Sequence, residues 1–280
     1  MATETQKADR SKIAHDHSRT KTTFKFNKQT AYFVIFVLAW TILAMTASQL
    51  IAYPMAWILG EKISTPLWTC IYYALTYTLT LVLIIYIPPR IFNLARQRQA
   101  RSTIAKTNTK TTQDSQNPLA TNADEIGLQH LPTFVDIGLA PIGYIIYTIG
   151  ATLVINLMKL FPWFQADQTQ EVGFGYFITT GDRILAMLAL VIIAPIAEEI
   201  IMRGWLYGKL RSRLKVPLAI LLVSIVFAFL HGQWNVGVGV FVLSLVLCGL
   251  REITGTIWSG ILLHIISNGI AFYLLYIAVI

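Results

Sequence analysis

The chain has 280 residues, 55% of them hydrophobic and only 13% charged, with a mean hydropathy of +0.59 and a net charge of +8. A soluble domain carries about 25% charged residues, so this apolar surplus needs a bilayer as solvent. The positive charge does not mark a nucleic-acid binder, since no basic stretch is interleaved with aromatics and no nucleic-acid motif is present.

Residues 1–30 read as a basic cytoplasmic tail, with seven Lys/Arg against three Asp/Glu. They lack the early apolar region of a secretory signal, so the first apolar run is expected to stay as an anchor. Runs of spanning length follow at 31–53 and 66–88, giving two N-terminal transmembrane helices within 31–88. Residues 89–137 read as a polar cytoplasmic linker. Its middle, around Ser102–Asn122, is rich in Thr, Gln, Asn and Lys and is expected to be disordered.

A core of about five helices is expected over 138–280, at 138–160, 184–207, 216–231, 235–250 and 255–278. The fifth and sixth runs of the chain are short for a span, and an eighth crossing would need part of 163–183 to re-enter the membrane. The fold class is therefore all-α, a polytopic transmembrane helical bundle of about seven spans. With the N-terminus cytoplasmic, 18 of the 22 Lys/Arg fall on the inner side, and the alternation holds at every loop. Cys70 and Cys248 lie inside apolar runs and read as small buried hydrophobes. No internal repeat of the kind many transporters carry is visible.

The informative residues are the polar ones inside these runs. Ala194-Pro195-Ile196-Ala197-Glu198-Glu199-Ile200-Ile201-Met202-Arg203 carries two adjacent carboxylates where a central charge costs about 2.5–3.5 kcal/mol on translocon scales. Glu199 and Arg203 stand at i, i+4 in the order that favours a helical ion pair. Glu198 points about 100° away, toward another neighbour. Pro195 should kink the helix just before the pair. A Phe227 to His231 segment ends the next helix. His264 and Asn268 share one face of the last helix at i, i+4. At 1.5 Å rise per residue, Glu198 and His264 lie roughly 14 Å from the inner surface, and His231 and Asn268 roughly 20 Å. A spread of one helical turn lets tilted helices gather all four around one cavity.

These three motifs resemble the signature of the CAAX-protease and bacteriocin-processing (Abi) family of intramembrane peptidases. The family pattern is Glu-Glu-x-x-x-Arg, Phe-x-x-x-His and His-x-x-x-Asn. Each stands here on its own expected helix, in order, within 184–275. Residues 1–130 carry no part of it. The resemblance implies a membrane endopeptidase in which Glu198 and His231 activate water and His264 and Asn268 stabilise the oxyanion. Glu199 and Arg203 would be a structural ion pair.

The cofactor is none, or zinc held by Glu198, His231 and His264, a carboxylate and two histidines that suit it. The set lacks the His-Glu-x-x-His helix of zincins, and a buried glutamate acting as general base also fits. Expected partners are the lipid bilayer and a peptide or membrane-protein substrate, with no nucleic acid; nothing in the sequence fixes an oligomeric state. Bacterial members of the family suggest a bacterial cell membrane and pheromone or bacteriocin precursors, while a prenylated substrate suits eukaryotic ones. The competing expectations are a non-catalytic binding protein on the same scaffold, conferring bacteriocin immunity or regulating a sensor kinase, and a proton-coupled transporter.

Overall fold

The computed structural model describes residues 27–60, 65–107, 117–166, 168 and 179–278, and these contain helices and no strand. Among the described residues nine helices follow in chain order: α1 (Lys28–Gly60), α2 (Thr65–Ile85), α3 (Ile87–Thr107), the single turn α4 (Ala123–Ile126), α5 (Phe134–Met158), α6 (Thr180–Arg211), α7 (Val216–Phe229), α8 (Trp234–Thr254) and α9 (Trp258–Tyr276).

Six of the described stretches are long and apolar enough to cross a membrane. They are Lys28–Met55, Pro66–Arg98, Phe134–Met158, Thr180–Arg211, Trp234–Thr254 and Trp258–Tyr276. Helix α7 is apolar throughout but has only 14 residues. At 1.5 Å per residue it rises about 21 Å, short of the ~30 Å hydrocarbon layer. The sixth apolar run, expected to be short, gains length instead: α8 has 21 residues. The stretch that an eighth crossing would need lies mostly outside the described residues, as does the N-terminal tail.

Helix α6 runs through the middle of the bundle. Its segment from Ile201 to Leu210 buries Ile201, Met202, Trp205, Leu206, Tyr207 and Leu210 almost completely. The α1–α2 hairpin, the α7–α8 hairpin and α9 pack around it, and α5 packs on α8 and α9. Helix α5 shows how the sequence separates lipid from protein. Ile142, Ile145, Ile146, Ile149 and Leu153 face outward, whereas Ala140, Gly143 and Ala151 face inward. Small residues let helix backbones approach closely where lipid removes any hydrophobic drive to associate.

The polar stretch after α2 is more ordered than its composition suggests. Helix α3 begins Ile87-Pro88-Pro89 and continues to Thr107. Prolines are tolerated in a first turn because those N–H groups have no intrahelical partner anyway. Residues 108–116 lie outside the described residues.

From Asn117 the chain lies as a strap across the ends of α6 and α8. The Asn117 amide donates to the Pro89 carbonyl at 3.0 Å. Leu119 is buried. The Lys209 ammonium donates to Glu125 at 3.0 Å and also to the Ala120 carbonyl. Arg251 donates to the Glu125 carbonyl at 2.9 Å, and the Trp258 indole donates to the His130 carbonyl at 2.6 Å.

Gly204 makes room for this strap, since a Cβ there would stand 2.7 Å from Ile126 Cγ2 and 3.3 Å from the Ile126 carbonyl oxygen. Gly204→Ala is expected to cost about 1–3 kcal/mol through overpacking. It would appear as a lower unfolding temperature and faster proteolysis between residues 117 and 130.

Two capping boxes anchor the core helices. Thr133 and Asp136 open α5, and Thr179 and Asp182 open α6. Asp136 does more than cap. Its second oxygen accepts from Thr256 and Ser259, both at 2.8 Å, so one carboxylate ties the start of α5 to the α8–α9 turn and the start of α9.

Candidate functional site

Helix α6 is not a regular helix where the two glutamates lie. It carries a π turn at Leu188–Ile193 and another at Ile200–Leu206, with an α segment, Ala194–Glu199, between them. Pro195 explains the first. A proline ring clashes with the carbonyl four residues back, and widening the helix relieves that clash. The Ala194 N–H bonds to the Ala189 carbonyl, five residues back. The same pattern would pair the next N–H with Leu190, but Pro195 has no N–H. The Leu190 carbonyl is satisfied from outside instead, by the Asn268 amide of α9 at 2.9 Å. The proline thus fixes both the shape of α6 and the place where α9 docks.

The carboxylates then diverge. Glu199 is fully buried, and its Oε1 takes Arg203 Nη1 at 2.9 Å and faces His264 Nδ1 at 3.0 Å. Gly260 lets α9 come this close, since a Cβ there would stand 2.9 Å from Glu199 Oε2. Glu198 turns toward a cavity. Its Oε2 lies 3.8 Å from His264 Nε2, so His264 stands between the two carboxylates and addresses each through a different nitrogen.

His231 follows the last turn of α7, and its Nδ1 lies 2.8 Å from the Phe227 carbonyl. A carbonyl can only accept, so Nδ1 carries the proton. In the neutral ring, Nε2 is then the free acceptor.

Phe227 is the common neighbour of the cationic and imidazole groups. Arg203 lies over its ring, 4.5 Å from the centroid. His231 meets the ring edge to face at 4.9 Å, and His264 at 6.0 Å. Phe227→Leu should therefore loosen both imidazoles. The expected outcome is about 1–2 kcal/mol of lost stability, within the ordinary range for a core change, together with a loss in kcat larger than any change in KM. Thermal unfolding and steady-state kinetics on one preparation read both.

Glu198, His231, His264 and Asn268 all line one cavity of about 620 Å³. The far wall comes from the N-terminal hairpin, through Met45 and Gln49 of α1 and Tyr72, Tyr73, Thr76, Tyr77 and Thr80 of α2. The Tyr77 hydroxyl donates to Glu198 Oε1 at 2.5 Å. Reading the sequence does not single out Tyr77, because tyrosine in a span is ordinary. The available signal is a stripe at i, i+4 on α2, with Tyr72, Thr76 and Thr80 on one line and Tyr73 and Tyr77 on the next.

Among the described residues, no three His, Cys, Asp or Glu side chains come together so as to hold a metal ion. Glu198, His231 and His264, the set that would suit zinc, line one cavity but form no such group.

Comparison with known families gives one match. Residues 180–270, about a third of the chain, match the family model described as type II CAAX prenyl endopeptidase Rce1-like. The matched segment opens at the start of α6 and ends within α9, so it contains Glu198, Glu199, Arg203, Phe227, His231, His264 and Asn268. No curated protein matches the chain, and no solved structure matches it. The match and the six membrane-capable helices support a multi-pass membrane peptidase.

Proposed function

We propose that this protein is an intramembrane endopeptidase that hydrolyses a peptide bond in a membrane-associated peptide or protein. The observation that carries the reading is the cavity. A carboxylate of α6, an imidazole and a carboxamide of α9 and an imidazole from the turn after α7 face one space of about 620 Å³, inside the segment that matches a peptidase family.

The chemistry follows from the donors and acceptors. Glu198 and the free Nε2 of His231 accept hydrogen bonds from a water between them. As the water attacks the scissile carbonyl carbon, Glu198 takes its proton as general base. The carbonyl oxygen becomes an oxyanion. His264 gives its Nδ1–H to Glu199 and, as the imidazolium, donates Nε2–H to the oxyanion. Asn268 uses one of its two amide protons on Leu190 and has the second to offer. Donors fixed before the reaction stabilise developing charge without reorganising. Glu198 then returns the proton to the leaving amine, and the bond breaks to a carboxylic acid and an amine. Glu199 and Arg203 hold His264 and the α6 backbone in place.

The test is cleavage of membrane-bound peptides by the purified full chain in lipid vesicles. Candidate peptides include a prenylated CAAX sequence, the class named in the family's description. Cleavage by the wild type that survives a chelator and vanishes on Glu198→Gln supports the reading. Equal cleavage by wild type and Glu198→Gln overturns it.

A further inference from the structure

We infer that Tyr77 is a positioning residue for Glu198, so that α2, which lies outside the segment matched to the peptidase family, completes the active site. The inference rests on the peptidase reading above and extends it to a part of the chain that carries none of the three motifs.

A glutamate carboxylate turns easily, because its terminal torsion is broad and two-fold. Glu198 works as a base only when one oxygen is held toward the cavity. The residues around it divide that task. The Tyr77 hydroxyl holds Oε1, and Oε2 is left facing His264 Nε2 across 3.8 Å. On α6 itself, the neighbouring Arg203 gives its Nη1 to Glu199 rather than to Glu198.

Tyr77 is itself held by its surroundings. Its ring packs on Tyr73, with centroids 6.1 Å apart. Tyr73 packs on Tyr72 at 6.1 Å, and Tyr72 stacks on Trp68 at 5.7 Å. Helix α2 touches α6 along its π turns and the α segment between them. The hydroxyl is thus presented by a row of rings on a packed helix. Substrate entering the cavity meets α2 as one wall and the motif helices as the other.

The experiment uses the purified full chain. Tyr77→Phe keeps the ring and its packing and removes only the hydroxyl. The expected result is a fall in kcat of about 10- to 100-fold with KM within about threefold, the scale of a displaced reacting group. The Tyr77→Phe change should have no further effect in a Glu198→Gln background. A second readout does not depend on turnover. The infrared difference between wild type and Glu198→Gln isolates the Glu198 carboxylate band, and the same difference taken in a Tyr77→Phe background should show that band moved.

An unmoved band, or wild-type kcat in Tyr77→Phe while Glu198→Gln is inactive, overturns this inference and leaves the peptidase reading intact. Wild-type cleavage by Glu198→Gln overturns the peptidase reading, and the positioning role falls with it.

Discussion

Glu198→Gln should reduce peptide cleavage by at least about 100-fold, and up to about 10,000-fold, the range attributed to a positioned general base. Glutamine has the shape of glutamate, and its amide oxygen can still accept from Tyr77. The fold should therefore survive, and the unfolding temperature should stay near that of the wild type. What goes is the capacity to take a proton. A kcat measurement beside thermal unfolding separates this from a folding defect. The contrast with a binding protein on the same scaffold is direct, because a binding site loses little when a carboxylate becomes an isosteric amide that keeps its main hydrogen bond.

The elements of this site differ in how far the sequence shows them. Glu199 and Arg203 are legible from their i, i+4 spacing, and the ion pair is present at 2.9 Å although Arg203 lies in the second π turn. His264 and Asn268 are legible for the same reason, as one face of α9. Glu198, His231, His264 and Asn268, expected around one cavity, do line one.

The π turns are not legible. A helical wheel assumes 3.6 residues per turn, whereas α6 departs from it on both sides of Glu198. Only Pro195 hints at the departure, and it signals a kink rather than a widened turn. Tyr77 is hidden for another reason. Its role arises from packing between helices far apart in the chain, which no local pattern encodes. The strap after α3 is hidden too. Its polar composition suggests a free linker, yet its partners, Lys209, Arg251 and Trp258, sit far along the chain.

Arg203→Met should be the most damaging single change to stability. Glu199 and Arg203 are both fully buried, and removing the guanidinium leaves a carboxylate in the bundle interior facing only His264. Breaking such a pair costs about 3–5 kcal/mol, against a total stability of about 5–15 kcal/mol for a typical protein. The guanidinium also lies on Phe227, so the ring that braces both histidines loses its cap. The expected result is loss of the monodisperse peak in detergent size exclusion and a sharply lower unfolding temperature.

The double change Glu199→Gln with Arg203→Met tests whether the charge is the cause. With both charges gone, the desolvation cost goes with them, and replacing a whole buried pair is often neutral. Folding should then return. The carboxamide oxygen introduced by Glu199→Gln can still accept from His264 Nδ1, so part of the cleavage activity should return as well. Recovery of folding and activity together would make the pair a structural support for His264. Recovery of folding without activity would mean that the Glu199 charge itself is needed in the reaction. These outcomes test the division that the i, i+4 spacing suggests for two adjacent glutamates, a structural Glu199 and a chemical Glu198.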